Sequence, residues 1–213
     1  MTVARRRALL LAAALLLGTL WPAAETAGAA RPPDIASQPV RVAHTADGPV
    51  GYRTVGHGQT LLMITGFGAG MDDWAPYFVD ALARHYRVVV FDNAGVGKTG
   101  PMPSPLSIPE MAAQTSGLIA ALHLGPCDVL GWSMGGLIAQ SLAVTHPHQV
   151  RRLVLAATQA GTGKAVPVPA ADQAALDGGN VVAVLGLLFP SDQAAATKRY
   201  VAGILSYHGY YTA

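Results

Sequence analysis

The chain has 213 residues, of which 51% are hydrophobic and 12% are charged. This composition excludes an intrinsically disordered protein, which needs low hydrophobicity and high charge, and it fits one folded domain. The formal net charge is +2, and Arg5, Arg6 and Arg7 supply three of the positive charges, so the rest of the chain is close to neutral. A neutral chain lacks the basic surface that nucleic acid requires, and we expect no nucleic-acid partner.

The N-terminus has the three-part pattern of a secretory signal peptide. The arginines precede an apolar run from Ala8 to Trp21, and small residues follow as far as Ala30. The run is shorter than the ~20 residues that usually span a bilayer. We therefore predict a signal peptide over residues 1–30, a secreted or cell-envelope location, and no stable membrane span after cleavage. Retention of the run as an uncleaved anchor is the alternative.

Residues 40–157 alternate between strand and helix patterns. A hairpin with an Asp47-Gly48 turn is followed by short apolar runs, which are typical of strands buried on both faces. The alternation predicts an α/β fold with a mostly parallel sheet flanked by helices, and the hairpin adds antiparallel strands at one edge. The predicted strands are 40–44, 50–55, 60–65, 87–92, 127–131 and 152–157, the last four of them buried, and the predicted helices are 73–86, 108–123 (capped by Ser107) and 134–146.

The residues after 158 show no further buried strand. Residues 159–171 are rich in glycine, alanine and proline, residues 180–189 are apolar, and residues 191–208 have a helical pattern. We predict a partial helical cap or lid over 159–213, beside a core that extends over 31–158. An ordinary pair of core helices is the alternative for the cap.

A G-x-S-x-G pattern from Gly131 to Gly135 stands between a predicted strand and a predicted helix. A serine in this setting occupies a tight turn that lifts its hydroxyl above the sheet, so Ser133 is the predicted nucleophile. Acyl transfer also needs backbone N–H donors for the oxyanion. Met134, directly after the serine, would supply one, and Phe67, in the glycine-rich turn after an earlier buried strand, is the candidate for the other.

These motifs resemble the α/β-hydrolase fold family over about residues 40–158. The oxyanion loop of that family often reads His-Gly-x, where this chain has Thr65–Phe67, and its D-x-R-G-x-G-x-S stretch corresponds to Asp92–Thr99, with Ala94 in place of the arginine. The resemblance implies a serine hydrolase that acts on small-molecule esters or related acyl compounds. The sequence contains no metal-ligand cluster, so we expect no metal and no cofactor.

The acid and the histidine of the catalytic triad follow the serine in that order in this family, but no strand after residue 158 offers positions for them. His146 and His148 lie at the far end of the helix that begins after Ser133, and His208 has no triad-like spacing. We therefore expect a truncated family member with an incomplete core. The alternative function is that of a catalytically impaired homologue that only binds a small apolar ligand.

The stretch Ala94–Thr99 also looks like the end of a phosphate-binding loop. However, Asp92 occupies the first glycine position of that motif, and Pro101 and Pro103 prevent the helix that should follow it. A nucleotide-binding protein is therefore a weaker third hypothesis. The single cysteine, Cys127, is predicted to be a buried strand residue.

Overall fold

A computed structural model describes residues 32–101, 106–161, 165–178 and 181–207. The predicted signal peptide and His208 lie outside the described residues. Within them, no helix is both long and apolar enough to cross a bilayer.

Six strands form one mixed sheet, as the sequence predicts. Its spatial order is β1-β2-β4-β3-β5-β6, with β1 and β2 forming the antiparallel hairpin at one edge and β3 to β6 parallel to one another. The strands are β1 (Arg41–Thr45), β2 (Gly48–Val55), β3 (Thr60–Ile64), β4 (Arg87–Phe91), β5 (Cys127–Trp132) and β6 (Val150–Ala156).

The helices follow the predicted order, with differences at their ends. The first helix is shorter than predicted because it begins at Pro76, a residue that favours the first turn of a helix. The capping box predicted at Ser107 is present, with Glu110 as its partner. The helices are α1 (Pro76–Ala83), α2 (Ile108–Ala121), α3 (Met134–Thr145), α4 (Ala170–Asp177), α5 (Val181–Leu188) and α6 (Ala194–Ile204). Of these, α4 lies partly in the stretch for which the sequence predicts no element.

The sheet has an apolar core on each face, because alternate side chains of a strand point to opposite faces. Leu62 and Ile64 of β3 pack in a cluster with residues of α2 and α3, among them Leu118 and Ile138. Leu61 and Met63 belong to a second cluster on the other face, which includes residues of α1. The continuous apolar run of β3 is therefore explained by burial on both faces.

The prediction that the last strand is buried is wrong. Residues 151–155 of β6 are all exposed, including Leu153, Val154 and Leu155. Among the described residues β6 pairs only with β5, so it is the edge of the sheet and nothing covers its outer side. Arg151 holds the strand to its neighbour through a two-point ion pair with Asp128.

A buried arginine ties the lead-in before β1 to the rest of the fold. Arg53 is fully buried, forms an ion pair with Asp72 at 2.8 Å and donates to the carbonyl oxygen of Gln38. The ring of Tyr207 lies over its guanidinium, and the Tyr207 hydroxyl donates to the carbonyl oxygen of Trp74 at 2.8 Å. These contacts fix the 3₁₀ turn at 71–73, which leads into one wall of the site described next.

Candidate active site

Ser133 occupies a sharp turn between β5 and α3. Its backbone has φ 55° and ψ −122°, a combination that is sterically unfavourable for a residue with a side chain. The Ser133 N–H donates to the carbonyl oxygen of Ala156, which ties the turn to β6. Such strain usually persists only where the surrounding structure imposes it, and it is frequent at functional sites.

The two glycines of the motif allow the turn to form because other backbone atoms occupy the space that their side chains would need. A Cβ on Gly131 would lie 2.4 Å from the Gly135 carbonyl oxygen, and a Cβ on Gly135 would lie 2.2 Å from the Ile64 carbonyl oxygen. The N-terminus of α3 is therefore pressed against the end of β3. The G-x-S-x-G pattern here meets a steric requirement of the fold.

The glycine-rich loop after β3 passes directly beside the serine. A Cβ on Gly66 would lie 3.2 Å from Ser133 Cβ, and Phe67 and Met134 line the same cavity. The structure thus brings all three residues of the predicted site to one corner, at the carboxyl ends of β3 and β5. Their catalytic roles stay predictions.

Asn93 holds this loop in place, a contact that sequence analysis missed. The residue is 3% exposed, and its Nδ2 donates to the carbonyl oxygen and to Oγ1 of Thr65, at 3.1 and 3.2 Å. The Thr65 hydroxyl in turn donates to the Ala69 carbonyl oxygen at 2.9 Å. Thr65, which stands where the family often has histidine, and Asn93 together brace both ends of the loop that contains Phe67.

Asp92 organises the neighbouring loop after β4. Its two carboxylate oxygens accept the N–H groups of Met71 and Lys98, and a Cβ on Gly97 would lie 2.3 Å from the carboxylate. Burial raises the pKa of Asp92 above its ordinary value, and the two N–H donors oppose that rise. A carboxylate therefore fills the loop in which a phosphate-binding protein would hold an anion, which argues against the nucleotide-binding hypothesis.

Two cavities border the nucleophile turn, one lined by the residue before Ser133 and one by the residue after it. We call the first, of about 310 Å³, the aromatic cavity; its walls include Trp74, Tyr77, Phe78, Trp132, Phe189 and Tyr200. We call the second, of about 400 Å³, the aliphatic cavity; its walls include Phe67, Asn93, Ala94, Ile108, Met111 and Met134.

Residues from α5 and α6 reach the aromatic cavity. Leu188 and Phe189 line it together with Tyr200, whose hydroxyl donates to the Asp73 carbonyl oxygen at 3.0 Å. The segment after β6 thus contributes to the wall of a cavity beside the site. Its aromatic residues gave no sequence signal beyond an apolar pattern, because the contacts join residues more than a hundred positions apart.

The described histidines after Ser133 are remote from it along the chain. His146 and His148 follow α3, a helix of twelve residues, which corresponds to a length of about 18 Å. The sequence prediction that neither residue serves Ser133 is consistent with this placement. The predicted position of Cys127 is confirmed: it is a buried residue of β5 with a free thiol.

The chain belongs to the α/β hydrolase fold family. The family model matches residues 59–193, which include β3 to β6, the serine turn and the segment after β6 through α5. The fold therefore confirms the class that the sequence motifs indicate.

Three related proteins illustrate the range of the family. A protein of Azorhizobium caulinodans named as a carbamate hydrolase is 34% identical over 113 residues, which cover 53% of this chain and 42% of that protein. A poly(3-hydroxyalkanoate) depolymerase of Ectopseudomonas oleovorans is 38% identical over 113 residues, covering 53% of this chain and 38% of the depolymerase. The solved structure of a hydrolase from Pseudomonas aeruginosa superposes with a TM-score of 0.60 at 26% identity, covering 80% of this chain and 68% of that one. The chain thus matches less than half the length of both curated relatives.

Proposed function

We propose that this chain is a serine hydrolase of esters or related acyl compounds, with Ser133 as the nucleophile. The observation that carries the proposal is the strained, half-buried conformation of Ser133 at the turn between β5 and α3. In the proposed step, Ser133 Oγ attacks the substrate carbonyl carbon and its proton passes to a base. The carbonyl oxygen then becomes an oxyanion beneath the N–H groups of Phe67 and Met134.

The names of two relatives support an acyl substrate. One curated relative is named for carbamate hydrolysis and the other for depolymerising a polyester. In both reactions a nucleophile attacks a carbonyl group that carries a heteroatom leaving group, which is the chemistry a serine and an oxyanion site can perform. We propose ester-like compounds as the substrate class for this chain.

The proposed step also needs a base and an acid that orients the base. In this family both follow the nucleophile in the chain, and the structure places no described histidine of that part beside Ser133. If no histidine serves Ser133, the binding alternative applies: a protein that keeps the site and binds a small apolar ligand without turnover. We further propose that α4 to α6 form part of a cap over the site, and that residues 1–30 direct the protein to the cell envelope or beyond.

Labelling with a small fluorophosphonate separates the enzyme from the binder. The hydrolase proposal predicts covalent modification of the intact chain at Ser133, located by peptide mass spectrometry and lost in Ser133→Ala. Ser141, which is partly exposed on α3, provides the matched control, because Ser141→Ala should leave labelling unchanged. A folded chain that takes no label would contradict the proposed enzyme and favour the binding function.

A further inference from the structure

We infer that the aliphatic cavity binds the acyl chain of the substrate and that Ala94 limits the length of chain it accepts. The inference rests on the proposed function, which sets the position of the substrate carbonyl. Its first support is location, because Phe67 and Met134, whose N–H groups we assign to the oxyanion, both line this cavity. A carbonyl held at those groups has one of its two substituents at the cavity entrance.

The topology of the sheet indicates whether the substituent at the cavity entrance is the acyl chain or the leaving group. The leaving group must receive a proton from the catalytic histidine, and the triad partners follow the nucleophile in the chain. In the described sheet β6 is the edge that lies beside β5, on the side away from β3 and β4, and we place the triad partners on that side of Ser133. The aliphatic cavity lies on the opposite side, since it is formed by the loops after β3 and β4 and by the start of α2. The acyl chain therefore fits the aliphatic cavity, and the leaving group points toward β6.

The chemistry of the walls specifies an apolar chain. Val96, Ile108, Met111 and Met134 line the cavity, and no charged side chain is among its described lining residues. Two polar residues, Asn93 and Ser107, are also among the lining residues. The Asn93 amide donates to Thr65, and the Ser107 hydroxyl accepts the Glu110 N–H at the start of α2, so both side chains already have partners within the protein. An unbranched alkyl chain would bury its apolar surface against such walls, and each buried methylene should strengthen binding about fourfold.

Ala94 is the residue that controls length. Its side chain is buried and lines the cavity, and it is smaller than the aliphatic side chains around it. Leucine at this position adds three carbon atoms to the wall. The added volume narrows the cavity, so it should leave less room for a long chain than for a short one.

Alkanoates, which resemble the acyl product, test the inference on the intact chain by titration calorimetry. With butanoate, hexanoate and octanoate we expect affinity to rise about fourfold per methylene. Ala94→Leu should weaken octanoate binding at least tenfold and change butanoate binding less than twofold. Ala120→Leu, the same substitution on the exposed side of α2, is the matched control and should leave the series unchanged.

The outcomes separate this inference from the proposed function. The inference is overturned if affinity is the same for butanoate, hexanoate and octanoate, or if Ala94→Leu and Ala120→Leu have equal effects. This holds even if fluorophosphonate labels Ser133. The other result is an affinity that rises with alkanoate length, with the rise lost in Ala94→Leu, in a chain that takes no fluorophosphonate label. That result supports the cavity assignment, whereas the hydrolase proposal fails. Ala94→Val adds less volume than Ala94→Leu and should weaken octanoate binding by a smaller factor. Circular dichroism of both variants verifies that they are folded.

Discussion

Replacing Ser133 by glycine should stabilise the protein while removing its nucleophile. A residue with a Cβ in an unfavourable backbone conformation costs about 1–3 kcal/mol, and glycine relieves that cost. Glycine also makes the unfolded chain more flexible, which costs about 0.4–1 kcal/mol. The net expectation is a gain of about 1 kcal/mol in the free energy of unfolding. For a domain of this size that gain raises the melting temperature by about 2–4 °C.

Alanine at the same position separates strain from the loss of the hydroxyl. Ser133→Ala keeps the Cβ, and the serine side chain makes no capping hydrogen bond, so its stability should equal that of the wild type. Ala160→Gly, in an exposed loop without positive φ, measures the effect of chain flexibility alone. Urea denaturation of all four proteins gives the free energies. The reasoning is refuted if the glycine variant is no more stable than the alanine variant at position 133.

Four further predictions concern the turn, a buried carboxylate, the sheet edge and the thiol. Gly135→Ala should lower stability by about 1–3 kcal/mol or more in urea denaturation, because its Cβ would lie 2.2 Å from the Ile64 carbonyl oxygen; an unchanged midpoint contradicts the steric argument. Burial raises the pKa of Asp92, so the native state holds this proton more tightly than the unfolded chain. The wild-type free energy of unfolding should therefore fall relative to that of Asp92→Asn as pH rises from below 3.8 through the native pKa, and parallel pH profiles would refute this. Val154→Lys should reduce concentration-dependent self-association in analytical ultracentrifugation, since Val154 is 49% exposed on β6, whose outer edge pairs with no other described strand; equal association would show that this edge is not the contact. Burial raises the pKa of Cys127 to about 11, so iodoacetamide should modify it only after unfolding, and rapid native labelling would exclude that burial.

The elements of the core could be predicted because their signals are local. The apolar runs of β3 and β4 need burial on both faces, and the Ser107 capping box marks the start of α2. The glycines around Ser133, between a predicted strand and a predicted helix, predict the turn, and in the structure a Cβ at Gly131 or Gly135 would clash with neighbouring backbone. Each of these features depends on residues that are adjacent in the chain.

The parts that sequence analysis missed depend on contacts between distant residues. The apolar composition of β6 suggests a buried strand, but the exposure of a strand depends on whether a neighbour covers it. Asn93 gives one signal, a polar residue at the carboxyl end of a parallel strand, yet its contact with Thr65 spans 28 positions. The contact of Tyr207 with Trp74 spans 133 positions and has no local signal at all.

The buried lead-in before β1 limits how far the N-terminus can be trimmed. Ile35 is fully buried and its N–H donates to Asp80, and the Gln38 carbonyl oxygen accepts from Arg53. A peptidase that cuts near Ala30 would leave these contacts intact. Removal of residues through Gln38 would instead expose the buried guanidinium of Arg53 and take away one of its hydrogen-bond acceptors. If residues 1–30 are removed as we propose, the processed protein should therefore begin upstream of Asp34, and shorter forms should be degradation products.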